Sequence, residues 1–467
     1  AILAQAILGS GFSASWHVCV GTSPVPSGHM APAKFSSARM AIYTAGNMIG
    51  TGTHQTLIGL AQGGCGNLLW ANFLLSGLLV TLSALPLQHL YDKFPSNECL
   101  HRAAVAGVGK SWGSLLSFVN GSLITIELIF AVTMQASFFG RCVAAFLPGG
   151  AAGTTGKAVS LGLLGVLWFM HRKSGALVTA NVAYVLGVIE LGTVGLLILS
   201  SPLGFLTGIP LRPMGSLFDW SKTELAKFPL GIHTAIFAYG GFPGMIQSGD
   251  LVEDPRRNLP LGIIWACFMT MWTYVLMSAS VLLVAEPQAI ASYNNAFDSL
   301  RNVLSDSMLA VISCTVMSSV ANNIMENALV IIENLQQMST ASDGDDKLAL
   351  PSFGFCGADV FTFGAIAVLT ALKDDIGLGL LGDAIDFALI LQFVVFAVLS
   401  MANLGNDGQL KSRLMVPVLS LVANSFVGVW HFSNASPTPM IMLAVLVFVP
   451  LLLSSNKRAV ATRKMVK

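Results

Sequence analysis

Long apolar segments, each about the length of a membrane-spanning helix, constrain this chain more than any other feature. Of its 467 residues, 54% are hydrophobic and only 10% are charged, whereas soluble domains carry about 25% charged residues. Unpaired backbone groups are costly in lipid, so segments of about 20 apolar residues must cross it as helices. We predict an all-α polytopic membrane protein with twelve transmembrane helices, at 39–62, 67–90, 112–142, 157–171, 175–200, 229–250, 259–285, 306–334, 356–373, 377–401, 412–431 and 438–455.

The positively charged residues are distributed unevenly between the two sides of these segments. Of the 24 Lys and Arg residues, 17 fall on the side of the two termini and 7 on the opposite side. Cytoplasmic loops carry the excess of Lys and Arg in membrane proteins. We therefore predict that both termini are cytoplasmic. A net charge of +1 without a large basic run argues against a nucleic-acid partner.

Two glycine-rich stretches interrupt the apolar segments. Residues 46–52 read GNMIGTG in the first segment, and residues 237–244 read FAYGGFPG in the sixth. An unwound stretch at membrane depth must be buried in protein or line a cavity, because lipid cannot satisfy its backbone groups. A matched pair of broken helices is typical of the substrate site of a secondary transporter. The sequence therefore predicts a small-molecule site at these two breaks.

Both breaks offer backbone groups that suit a zwitterion. Glycine allows a ligand to approach the backbone closely. N–H groups at the start of a half-helix favour a carboxylate, and free carbonyl groups can receive an ammonium group. The alternative is that the glycines only allow close helix packing. The predicted substrate-binding residues are Met48, Ile49, Gly50, Thr51, Gly52, Phe237, Ala238, Tyr239, Gly240 and Gly241.

Four glutamates lie within the predicted spans. Glu127 is in the middle of the third segment and Glu190 is in the fifth. Ionisable residues inside a membrane are expensive, and they often form part of proton or substrate pathways. Both are candidates for proton coupling, and the alternative is a hydrogen-bonded structural acid. Glu326 and Glu333, seven residues apart on the eighth segment, are predicted to face a solvated inner vestibule.

Several motifs resemble those of amino acid–polyamine–organocation permeases. Residues 237–242 (FAYGGF) and 253–260 (EDPRRNLP) resemble the sixth helix and the following loop of that family. Residues 48–52 (MIGTG) resemble its broken first helix, and residues 91–96 (YDKFPS) resemble the segment after its second helix. The resemblance covers residues 38–335. The loop after the sixth segment is its most specific element.

The resemblance implies a LeuT-type fold, in which two inverted repeats of five helices are followed by two further helices. It also implies transport of amino acids or related amines by alternating access, with Phe237 as an aromatic gate over the substrate. The expected organisation is an N-terminal tail at 1–37, a first repeat at 38–200, an extracellular connection at 201–228, a second repeat at 229–401, helices 11 and 12 at 402–455, and a basic cytoplasmic tail at 456–467.

The coupling ion and the transport competence stay open at this stage. Sodium symporters of this fold bind the ion between carbonyls of the first helix and hydroxyls of the eighth, so Ser318 and Ser319 are a candidate sodium site. Adjacent serines in a membrane helix also bond to their own backbone. His54-Gln55 stands where the family has an apolar pair, and Pro243 stands where some exchangers have an acid. These departures motivate the alternative of a non-transporting nutrient sensor or accessory subunit.

Charged residues after the sixth segment suggest a cytoplasmic latch. Arg256 and Arg257 lie close in sequence to Asp250, Glu253 and Asp254. Such ion pairs could rearrange between inward-open and inward-closed states. Helix capping and the setting of topology are the alternative explanation.

Enzymatic activity and a bound cofactor are not predicted. The sequence has no HExxH, GxSxG or Walker motif, and its seven cysteines form no CxxC pair. We expect no cofactor besides a coupling ion, H⁺ or Na⁺. The expected partners are a small-molecule substrate and the lipid bilayer, and no partner subunit is indicated.

Overall fold

The computed structural model describes residues 34–144, 154–174, 176–206, 208, 210–223, 227–293, 306–339, 357–406, 413–434 and 437–447. Most of these residues are helical, and the one extended feature among them is an isolated bridge between Phe35 and Val252. Most of the predicted N-terminal tail and all of the predicted basic C-terminal tail lie outside the described residues.

Twelve helices follow one another in the order of the twelve predicted segments. They are α1 Ser37–Gln62, α2 Leu69–Lys93, α3 Lys110–Ala144, α4 Thr154–Ser174, α5 Ala176–Ile198, α6 Phe228–Ile236, α7 Pro255–Val284, α8 Asp306–Ser339, α9 Gly357–Ile376, α10 Leu378–Asn406, α11 Met415–Asn434 and α12 Thr438–Val447. Shorter helices at Cys99–Val108, Ser200–Leu206 and Pro287–Ile290 connect some of them. These three connectors were not predicted from the sequence.

Six of the described helices are long and apolar enough to cross a membrane by length and composition alone. They are α2, α3, α5, α7, α10 and α11. Of the other helices, α6 is too short to reach that measure, because it ends after nine residues.

Close helix crossings surround α1. It packs against α5, α7 and α8, and α3 packs against α8 and α10. A side chain on Gly46 of α1 would meet the backbone of Gly187 of α5 at 3.1 Å, so these two helices touch through glycines. In lipid such small residues bring backbones together, because van der Waals packing drives association there.

Both predicted breaks are present, but they differ in extent. The backbone of α1 leaves helical geometry at Gly50 (φ −2°, ψ −129°) and then continues as a helix. The sixth segment loses α-helical geometry after Ile236 and continues as short 3₁₀ turns to Leu251. The predicted break at 237–244 is therefore present, but the segment does not return to an α-helix before residue 250. Gly241 has φ +92°, which disfavours other residues, and Pro243 offers no N–H to a helix.

The segment before α1 pairs with the segment after the sixth-helix turns. Phe35 N–H donates to Leu251 O at 2.8 Å, and Glu253 N–H donates to Phe35 O at 2.9 Å. Asp250 accepts a hydrogen bond from Asn97. Among the described ion pairs, none joins Arg256 or Arg257 to the neighbouring acids, so the predicted charged latch is not formed in this conformation. A backbone pairing holds the two segments together instead.

Candidate functional site

A small cavity lies between the two breaks. It is enclosed by α1, α3, α8, α10 and the unwound part of the sixth segment. Its lining residues are Asn47, Met48, Gly52, Glu127, Leu128, Ala131, Gln135, Phe237, Gly240, Gly241, Asn327 and Ile385. The breaks therefore face one shared space.

Glu127 joins this cavity to the unwound backbone. Its side chain is buried, with 1% of its surface exposed. Gly241 N–H donates to Glu127 Oε1 at 3.3 Å, and Gln392 Nε2 donates to Glu127 Oε2 at 3.1 Å. Both bonds stabilise the charged form of the carboxyl, while burial opposes charge. A change in the protonation of Glu127 would therefore alter its hydrogen bond with the backbone of the sixth-helix break.

Tyr274 of α7 connects the two breaks. Its hydroxyl oxygen lies 2.7 Å from Met48 O and 2.8 Å from Ala238 O. A tyrosine hydroxyl has one hydrogen to donate, so it can fully satisfy one of these carbonyls at a time. The carbonyl that the hydroxyl does not bond can accept a hydrogen bond from another donor. The residue also ties α1 and the sixth segment to the same helix.

Three glycines permit the close contacts around the cavity. A side chain on Gly50 would collide with the amide of Asn323, which itself donates to Gly46 O at 2.9 Å. A side chain on Gly52 would lie 2.8 Å from Ala238 Cα, and one on Gly241 would lie 2.9 Å from Asn47 Oδ1. Larger residues at these positions would force the breaks apart.

Three hydrogen-bond acceptors in the cavity lining lack a donor among the described residues. The side-chain oxygens of Asn47, Gln135 and Asn327 are buried and have no hydrogen-bond partner among the described residues. The residues that line the described cavity include one carboxyl group and no Lys, Arg or His. Buried acceptors are costly when unpaired. The arrangement therefore suits a ligand that brings hydrogen-bond donors, such as an ammonium group or hydroxyls.

A second buried acidic cluster lies between α5 and α8. The hydroxyl of Ser319 faces the carboxyl of Glu190, and Glu326 is close enough to Glu190 for their charges to interact. Asn322 Nδ2 donates to Glu326 Oε1 at 3.2 Å. Glu326 is fully buried, so the prediction that it faces a solvated vestibule was wrong. Glu333, half-buried two turns further on, fits that prediction better.

The structure distributes the predicted substrate residues around the cavity. Met48, Gly52, Phe237, Gly240 and Gly241 line it. Ile49 and Ala238 direct carbonyls toward Tyr274 instead. The hydroxyl of Tyr239 donates to Phe73 O at 2.8 Å, away from the cavity lining. Gly50 packs on Asn323, and the side chain of Thr51 lies outside the described part of the chain.

Five residues that contribute to the cavity or its hydrogen bonds were not predicted from the sequence. Asn47 lies within the first glycine motif, and Gln135, Asn327, Gln392 and Tyr274 lie outside both motifs. Amide side chains inside apolar spans are a usable signal, because they hydrogen-bond between helices in membranes. No comparable signal identifies Tyr274, since its role depends on a contact with residues 226 and 36 positions away.

Comparisons with known proteins identify the family of this chain. Residues 36–341, well over half of the chain, match the family described as "Amino acid permease". The chain is 22% identical over 395 residues to the methylthioribose transporter of Bacillus subtilis (strain 168), covering 81% of this chain and 82% of that protein. It is also 26% identical over 265 residues to the mitochondrial cationic amino acid transporter 3 of Arabidopsis thaliana, covering 51% of this chain and 40% of that protein.

A solved structure shares the fold. A manganese transporter of Eremococcus coleocola superposes with a TM-score of 0.53 and 14% sequence identity, covering 90% of this chain and 92% of that one. The prediction of an all-α membrane protein with broken first and sixth helices is confirmed. The chain belongs to the amino acid permease family, as an integral membrane transporter of the LeuT-type fold and not an enzyme.

Proposed function

We propose that this transporter carries an amino acid or a related amine together with protons, by alternating access. The observation that carries the proposal is the position of Glu127, which is bonded to the unwound backbone at Gly241 inside the cavity between the breaks. In this scheme, residues 38–200 and 229–401 are the two inverted repeats, and both termini are cytoplasmic.

The acceptor-rich lining supports an amine as substrate. Three buried amide oxygens and the carboxyl of Glu127 can pair with the donors of an ammonium group. A carboxylate would be received by backbone N–H groups beside the glycines. The name of one relative supports the same class, since it is a cationic amino acid transporter.

The position of Glu127 supports proton coupling through that residue. A carboxyl that exchanges a proton in an apolar cavity changes the local charge without a second ion. Substrate bound at Gly240 and Gly241 would disturb the bond from Gly241 N–H to Glu127. Glu190 is further from this contact, because it faces Ser319 and Glu326 and does not line the described cavity. We therefore favour Glu127 over Glu190.

The test is uptake by the purified full chain in proteoliposomes. The panel contains labelled arginine, leucine, putrescine and methylthioribose, each under an inward proton gradient, a sodium gradient or neither. Concentrative uptake of an amino acid or putrescine under the proton gradient alone is the expected result. Uptake that requires sodium would overturn the coupling assignment and direct attention to Ser319.

A second substrate class is favoured by one relative. Methylthioribose carries hydroxyl groups, which also donate hydrogen bonds to amide oxygens, and the relative named for it covers most of this chain. Uptake of methylthioribose without amino acid uptake would replace the amine proposal. Ligand binding without flux under any gradient would favour the sensor alternative.

A further inference from the structure

Three titratable side chains from three helices meet in the apolar bundle, outside the cavity. His233 lies on α6 before its break, Asp386 on α10 and His431 on α11. His233 Nδ1 lies 3.3 Å from Asp386 Oδ2, and the imidazole rings of His233 and His431 stack with centroids 3.5 Å apart and an angle of 9°. All three side chains are at most 6% exposed.

This cluster is poorly explained as a stabilising feature. His233 Nε2, Asp386 Oδ1 and both ring nitrogens of His431 have no hydrogen-bond partner among the described residues. Buried polar atoms without partners cost free energy, and apolar residues of similar volume are often as stable as a buried ion pair. Two stacked imidazolium rings would repel each other, so the pair can accept one added proton but not readily two.

The cluster continues toward Glu127. Asp386 is close enough to Glu127 for their charges to interact. Ile385, its neighbour, lines the cavity, and Gln392 on the same helix bonds to Glu127. The histidine–aspartate cluster thus includes a residue of the same helix, α10, that also contacts the cavity and the carboxyl at the break. Series of Asp, Glu and His are typical of proton relays in membrane proteins.

Few other ionisable groups face the cluster. Asp383, on α10, interacts with Asp386. Ser76 and Ser83 of α2 contact α6 and α11, and α2 has no charged or titratable residue between positions 69 and 88. The other histidine considered, His54 of α1, packs elsewhere: its ring stacks on Phe138 of α3, with ring centroids 6.2 Å apart.

We propose that His233 and Asp386 form a proton relay that supplies Glu127, with His431 as the stacked partner that limits the imidazole pair to one added proton. The proposal rests on the assigned coupling role of Glu127.

In the transfer step, protonated His233 gives its Nδ1 proton to Asp386. Asp386 then passes a proton to Glu127, directly or across a bridging water. Each group returns to its starting state once His233 is protonated again, so one proton has moved and no redox partner is involved.

The test measures protonation of Glu127 without requiring substrate. The full chain in lipid vesicles is subjected to a pH jump, and the carboxyl bands are followed by time-resolved infrared spectroscopy, with Glu127→Gln identifying the band of Glu127. Asp386→Asn and His233→Gln are expected to slow its appearance by at least tenfold. Asp386→Glu, which keeps a carboxyl, is expected to restore most of the rate. His89→Gln, which removes an imidazole from α2 elsewhere, is the matched control and should not change the rate.

Rates within twofold of the wild type in both Asp386→Asn and His233→Gln would overturn the relay. The absence of any titrating Glu127 band in the wild type would also overturn it. Circular dichroism and gel filtration check that each variant is folded, and rescue by Asp386→Glu distinguishes lost proton transfer from lost packing. Slowed protonation together with absent substrate flux would retain the relay and reject the transport proposal.

Discussion

The two buried carboxyl clusters beside α1 differ in how they connect to the breaks. Glu127 uses both of its oxygens, one for the unwound backbone at Gly241 and one for Gln392. Glu190 lies between α5 and α8, where its Oε2 has no hydrogen-bond partner among the described residues and a second acid, Glu326, is near. One carboxyl is bonded to the backbone at the cavity between the breaks, and the other belongs to a separate group with Ser319 and Glu326.

This difference teaches that burial alone does not identify a coupling residue. Both glutamates are almost fully buried, with 1% and 2% of their surfaces exposed. A proton site must also gain or lose stability when substrate arrives, since coupling requires a differential interaction with the two states. Glu127 has such a link through Gly241 N–H. The following predictions test that contrast.

The largest effect is expected for Gly50→Leu. Even the first carbon of a side chain at Gly50 collides with the amide of Asn323, so the break must distort or the bond from Asn323 to Gly46 O must be lost. We expect uptake at the level of empty vesicles. The matched control is Gly59→Leu on the same helix, where an added carbon meets nothing within 4 Å. Normal uptake by Gly50→Leu, with intact membrane insertion, would contradict the site assignment.

The next effect separates the two carboxyl clusters. Glutamine at position 127 preserves the shape of the side chain but cannot exchange a proton. We expect Glu127→Gln to lose accumulation driven by a proton gradient while it retains exchange of substrate across the membrane at equal pH. Glu190→Gln should keep driven accumulation. The two variants are compared in the same uptake assay, and the reverse pattern would transfer the coupling role to Glu190.

A smaller effect is expected for Tyr274→Phe. The substitution removes the hydroxyl that joins Met48 O to Ala238 O. A lost hydrogen bond costs about 1 kcal/mol, which corresponds to about a fivefold change in an equilibrium constant. We expect substrate binding to weaken by that factor, as measured by isothermal titration calorimetry. Tyr91→Phe is the control, because the Tyr91 hydroxyl has no hydrogen-bond partner among the described residues.

The smallest effect is expected for Ser319→Ala. If the cluster around Glu190 holds no coupling sodium ion, removing one hydroxyl should change proton-driven uptake by no more than about twofold. Replacing sodium with potassium should also leave uptake of the wild type unchanged. Strong stimulation by sodium that disappears in Ser319→Ala would instead identify this cluster as the ion site.

The sequence supports the fold more fully than the site. The apolar segments and the two glycine motifs predict the helices and both breaks, because backbone satisfaction in lipid dictates where they must be. The length of the second break was not predicted, because the same apolar sequence is compatible with an α-helix and with 3₁₀ turns. Glu127 was recognised as an ionisable residue in a span. Its partners Gly241 and Gln392 are 114 and 265 positions away, so only the folded chain reveals them.

The most direct test of proton coupling through Glu127 is proton movement driven by substrate. Vesicles that contain the full chain and an internal pH dye receive substrate outside, with no initial pH gradient. The wild type is expected to acidify the lumen as substrate enters, whereas Glu127→Gln should exchange substrate without acidification. Equal acidification by the wild type and Glu127→Gln would contradict the assignment of the coupled proton to this carboxyl.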